Sequence, residues 1–141
     1  MKHVAKASLI LGLVLSVLLS LSGCHTVAKE GVWENATYRR DTELGEGERT
    51  LTLEVEAMEQ TVTFTVHTNA ETVGAALLET GLIEGEQGAY GLYVKRVNGI
   101  RADYDLDQRY WAFYVNGGYA MEGVDATRIE EGSVYRLAYE K

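Results

Sequence analysis

The residues able to do chemistry are few and do not converge. In "DYDLD" the carboxylates of Asp103, Asp105 and Asp107 alternate, the spacing that opens a calcium-binding loop. Such a loop also needs glycine at its sixth place and a carboxylate at its twelfth. The chain has Gln108 and Tyr114 there, so the run reads as a solvated acidic turn. Past Cys24 the only histidines are His25 and His67, and a zinc site needs three or four ligands brought together. Ser133 is the only serine after Cys24, with no histidine and aspartate in its context to activate it. "LGEGE", Leu44 to Glu48, is rich in glycine but too acidic to cradle a phosphate. The chain is therefore expected not to be an enzyme, to hold no metal and to require no cofactor.

What remains is recognition by surface. "QRYWAFYVNGGYA", Gln108 to Ala120, places five aromatic residues in thirteen positions. Strand alternation would send Trp111, Phe113 and Val115 to one side and Tyr110, Ala112 and Tyr114 to the other. The first set suits a core beneath a helix. On the second face tyrosines stand where threonine, glutamate or lysine would serve solubility better. A tyrosine ring tolerates half-burial with its hydroxyl wet, which suits a binding face. Tyr110, Tyr114 and Tyr119 are the candidate ligand-binding residues on this ground, with Tyr93 beside them. Trp111 is a candidate that serves core or ligand equally well.

These residues need a frame, and its elements can be read in order. "TLTLEVEA", Thr50 to Ala57, and "TVTFTVHT", Thr61 to Thr68, both alternate with period 2, which predicts a hairpin with one dry face. "NAETVGAALLETG" changes period: Thr68 or Asn69 can cap a helix whose buried face is Val73, Ala76 and Leu77, and Gly81 ends it. Gly74 would let that helix approach the sheet. Asn98-Gly99 and Asn116-Gly117 are hairpin turns, and a last strand runs from Ser133 to Tyr139. Strand, strand, helix and further strands predict an α+β domain, a mixed sheet with one helix packed on one face.

The amino-terminal part reads differently. Lys2, His3 and Lys6 precede "ASLILGLVLSVLLSL", Ala7 to Leu21, which carries no charge. That is a secretory signal, and it is short for a membrane span. "LSGC", Leu21 to Cys24, resembles the bacterial lipobox. The resemblance implies cleavage before Cys24, a signal peptide of residues 1–23 and a diacylglycerol thioether on Cys24. Each acyl methylene buried contributes about 0.8 kcal/mol, so two or three chains give stable attachment. Residues 24–49, irregular and charged, then read as a lipidated amino-terminus and tether, about 27 Å long if flexible. Trp33 and Tyr38 fit a tether poorly; they would dock on the domain or join an added strand.

Without Lys2 and Lys6 the chain has eleven basic side chains against 21 acidic ones, a net charge of −10. Phosphate backbones repel so acidic a protein, which excludes nucleic acid as a partner. With Cys24 gone to the lipid no disulfide can form, so the domain must be held by its core.

The stretches "TVGAALLETGLI", "VNGI" and "RYWAFYVNGGYAMEGVDATRIEEGSVYRLAYE" resemble the transcobalamin-like C-terminal domain, a small bacterial family of unknown function. The likeness runs from about Thr50 to Lys141. It implies a β-grasp-like fold over residues 50–141. In the vertebrate vitamin B12 carriers the corresponding domain covers one face of a corrinoid, and Tyr110 and Trp111 match the position of their Tyr-Trp pair. The larger helical domain that holds the other face there has no counterpart in these residues. The resemblance thus implies a lipid-anchored, extracytoplasmic binding module, with cobalamin or another flat, partly apolar molecule as ligand. The alternative is a protein-interaction or structural domain of the cell envelope, with an envelope protein as partner.

Overall fold

The structure is a computed structural model and describes residues 31–141. Residues 32–141 form one compact unit. The signal segment, Cys24 and the start of the expected tether lie outside the described residues.

The strands are β1 (Thr42–Gly45), β2 (Arg49–Ala57), β3 (Gln60–Thr68), β4 (Ile83–Gly88), β5 (Gly91–Val97), β6 (Ile100–Arg101), β7 (Tyr110–Val115), β8 (Gly118–Tyr119) and β9 (Val134–Glu140). Two helices join them, α1 (Val73–Glu79) and the single turn α2 (Tyr104–Asp107). The architecture is α+β, with one main helix. The expected single sheet is divided, however: six strands in the order β1-β3-β2-β9-β7-β8, and a separate sheet of β4-β5-β6. The larger sheet is mixed, because β1 runs parallel to β3 and β9 parallel to β2 while the other pairs are antiparallel.

The first hairpin follows the alternation. Leu51, Leu53 and Val55 face the core with Val62, Phe64 and Val66, all buried. Its turn is Met58-Glu59, both at positive φ, the conformation a two-residue hairpin needs. Helix α1 buries Val73, Ala76 and Leu77 as expected. Its cap is neither Thr68 nor Asn69 but Thr72, whose Oγ1 accepts from the Ala75 amide at 3.2 Å. Both expected caps are committed elsewhere: Thr68 Oγ1 donates to Glu79 at 3.0 Å, and Asn69 Oδ1 accepts from the Glu48 amide at 3.0 Å. At the other end Leu82 N–H donates to Leu77 O at 3.0 Å and Gly81 N–H to Leu78 O at 3.1 Å. With Gly81 at φ +73° this is a Schellman stop.

Residues 32–49 are folded, not tether. Trp33 is buried and its indole N–H donates to Ala57 O at 2.8 Å. Tyr38 meets Phe64 edge-on, with ring centroids 5.8 Å apart. Asn98, itself buried, clamps the same segment: it accepts from the Tyr38 amide at 2.9 Å and donates to Tyr38 O at 2.7 Å. β1 then covers the β3 edge in parallel. Such pairings link residues far apart in sequence, so no local period announces them.

Candidate functional site

β7 is the central strand of the aromatic stretch, and alternation orients it as expected. What covers it differs from the expectation. Trp111 and Phe113 are buried, but the strand that packs over β7 is β5, and the Trp111 indole N–H donates to Ile100 O at 3.2 Å. Helix α1 packs on β3 and β4 instead. Because β5 belongs to the second sheet, the two sheets part beside β7 and leave a groove.

That groove has a volume of about 410 Å³, within the range of small-molecule sites. Its floor is apolar and buried: Val94 from β5, Trp111 and Phe113 from β7, Val124 and Leu137. Its rim carries Tyr90, Tyr93, Tyr119 and Met121, all exposed. Tyr110 also lines it. Among the described residues the only carboxylate in the lining is Glu122. Such a site binds by covering flat or apolar surface.

Three of the four sequence-derived candidates therefore meet in one place: Tyr110, Trp111 and Tyr119. Tyr114 does not join them. Like Tyr110 and its cross-strand partner Tyr119 it stands on the face of β7 opposite Trp111 and Phe113, but it lies outside the lining: its hydroxyl donates to Glu140 at 2.7 Å, its ring meets Tyr119 at 5.5 Å and the Arg136 guanidinium lies 4.5 Å above it. Trp111 is only 7 % exposed and its N–H is already spent, so it serves as floor, not as a hydrogen-bonding contact. Tyr93 was legible as a neighbour. Tyr90, Met121 and Val94 were not, because only the β4–β5 hairpin and the chain after β8 bring them to the groove.

On the opposite face Glu140 receives two phenols, since the Tyr110 hydroxyl also reaches it at 3.4 Å. The Tyr110 pKa is raised above the usual phenol value, first by desolvation and then by the Glu140 charge. The Tyr114 pKa is raised first by its hydrogen bond to Glu140 and then by desolvation. A carboxylate stabilises the neutral phenol that donates to it and opposes the phenolate.

The remaining polar candidates are held in structural roles. Asp103 caps α2 by accepting from the Asp105 amide at 3.1 Å and pairs with Arg101 at 3.0 Å, while Asp107 accepts from the Arg109 amide at 2.9 Å. His67 Nε2 pairs with the Glu43 carboxylate across the β1–β3 edge. Among the described residues no group of three or more His, Cys, Asp or Glu gathers to hold a metal ion. No helix among them is long and apolar enough to cross a membrane.

An α+β domain with an aromatic groove between its sheets is thus the class of protein that fold and site define. Residues 70–141, just over half of the chain, match the family described as Domain of unknown function (DUF4430), and the chain belongs to that family. No curated protein matches it. Among solved structures, a protein of Ruminococcus gnavus ATCC 29149 to which metal binding has been ascribed is 27% identical with a TM-score of 0.63, over 67% of this chain and 98% of that one. Haptocorrin in complex with Cbi gives a TM-score of 0.52 at 16% identity, over 66% of this chain. The match spans only 25% of haptocorrin's own length, so it speaks for a transcobalamin-like fold in this part alone.

Proposed function

We propose that this protein is an extracytoplasmic binding module, tethered through lipid on Cys24, whose groove takes a flat and partly apolar molecule. The observation that carries the reading is the groove itself, where a buried floor of Trp111, Phe113 and Val94 is ringed by exposed Tyr90, Tyr93 and Tyr119. Exposed aromatic side chains cost solubility, and collected around one concavity they suit a ligand that covers them. A corrinoid is the first candidate, supported by the likeness to haptocorrin in complex with Cbi. The topology is read as β-grasp-like: a hairpin, a helix across it, and the last strand laid parallel beside the first of the hairpin. Nothing in the site calls for catalysis, and the protein is read as a binder.

Titration of the purified protein with cyanocobalamin in a calorimeter tests this. Calorimetry is preferred to fluorescence because the folded unit contains two tryptophans, Trp33 and Trp111. Saturable heat at micromolar ligand that is lost in Tyr93→Ala and Tyr119→Ala supports the reading. No heat at several hundred micromolar would remove the corrinoid from it.

A second reading has its own observation. Among the described residues β8 pairs only with Tyr114 and Val115, and Tyr110–Ala112 of β7 have no strand partner on that side. An extended segment of an envelope protein could add there as a strand, its side chains entering the groove.

A further inference from the structure

One carboxylate joins the two walls of the groove. Leu92 lines the groove from β5, and Val124 of its floor directly precedes Asp125. In the β4–β5 hairpin Gly88 faces Gly91 across the turn and Gln87 faces Leu92. Beyond a two-residue turn the second such pair is the non-hydrogen-bonded one, so the Leu92 amide points out of the ladder. Its acceptor is Asp125 Oδ2 at 3.2 Å.

Asp125 is fixed from behind. Gly74 N–H of α1 donates to Val124 O at 2.8 Å, and Val73 N–H to Thr127 O at 2.9 Å. The approach is so close that a Cβ on Gly74 would stand 2.9 Å from both the nitrogen and the Cα of Asp125. In front, a Cβ on Gly91 would stand 2.8 Å from Oδ2 and 2.9 Å from Oδ1. Glycine on both sides gives the aspartate its place: backbone locked to α1, carboxylate against the start of β5. The core beside it, with Val94, Phe113 and Val124, is apolar.

We propose that Asp125 is a positioning residue that sets the width of the groove, and that releasing its bond to Leu92 opens the groove while the sheets stay folded. The inference deepens the binding reading and rests on it for its biological meaning. Its test needs no ligand. A hydrogen bond to a charged acceptor protects its donor strongly.

Amide hydrogen exchange on the purified protein should show Leu92 and the segment 120–124 exchanging on the order of tenfold faster in Asp125→Ala. Leu53 and Val55 of β2 should be unchanged. Asp125→Asn keeps an acceptor oxygen and should restore slow exchange at Leu92. Unchanged protection at Leu92 in Asp125→Ala would overturn the proposal, as would an even loss across β2 and α1. An Asp125→Asn variant that exchanges like Asp125→Ala would overturn it too. Calorimetry with cyanocobalamin separates this from the binding reading. A local exchange response with no heat from any variant would retain the clasp and remove the ligand.

Discussion

Trp33 tests whether the segment before the first hairpin belongs to the domain. Its side chain is 6 % exposed, and its indole N–H donates to Ala57 O at the end of β2. Trp33→Ala removes a large aromatic from a packed site, which costs about 3–5 kcal/mol where the surroundings collapse only in part. The lost hydrogen bond adds roughly 1 kcal/mol. A domain of this size has a total stability of about 5–15 kcal/mol, so the variant should lose a large share of it. Urea unfolding followed by circular dichroism should show a lower midpoint with little change in slope. The thermal midpoint should fall by more than ~10 °C. Trp33→Phe keeps most of the apolar surface and should fall between. Arg39→Ala is the control, since that side chain is exposed and hydrogen-bonds Glu34 O at 3.1 Å; it should change stability by less than about 0.5 kcal/mol. A Trp33→Ala loss below about 1 kcal/mol would mean that residues 32–49 add nothing to the fold, and the docked reading would fall.

Three further outcomes are expected. The Tyr110 and Tyr114 pKa values are raised in the fold, so their contribution is present below the unfolded phenol value of about 10 and is lost as pH rises through the higher folded values. Denaturation at pH 8 and pH 11 should therefore show an alkaline loss that Tyr114→Phe reduces; an identical pH slope in the variant would refute the Glu140 assignment. Gly74→Ala should destabilise by about 1–3 kcal/mol, although alanine favours a helix by roughly 1 kcal/mol, because its Cβ would strike the Asp125 backbone. A gain in thermal midpoint would show that this contact is loose. Cys24→Ser should move the protein from the membrane to the soluble fraction of a bacterial host, and the wild-type amino-terminal peptide should carry the added mass of the lipid. An unmodified Cys24 peptide would rule out the anchor.

Much of the fold was written in short stretches. The period of Leu51, Leu53 and Val55 against Val62, Phe64 and Val66 dictates one dry face, since side chains alternate along a strand. Asn98-Gly99 and Asn116-Gly117 both turn the chain, at positive φ throughout. Val73, Ala76 and Leu77 mark the buried side of α1, and the tyrosines around Trp111 mark where recognition would lie. All of these depend on residues a few places apart, so each could be read from its own neighbourhood.

Only the tertiary structure decided the rest. Nothing near Trp33 says that it will find Ala57, and nothing in "TELG" says that it will pair with β3. That β4–β6 separate into their own sheet and that β5 rather than α1 covers Trp111 settle where the groove lies. Those choices brought Tyr90 and Met121 to one groove from separate parts of the chain and set Asp125 against the Leu92 amide beside it. Local chemistry determines the elements and their faces; which faces meet depends on how the whole apolar surface can be buried at once.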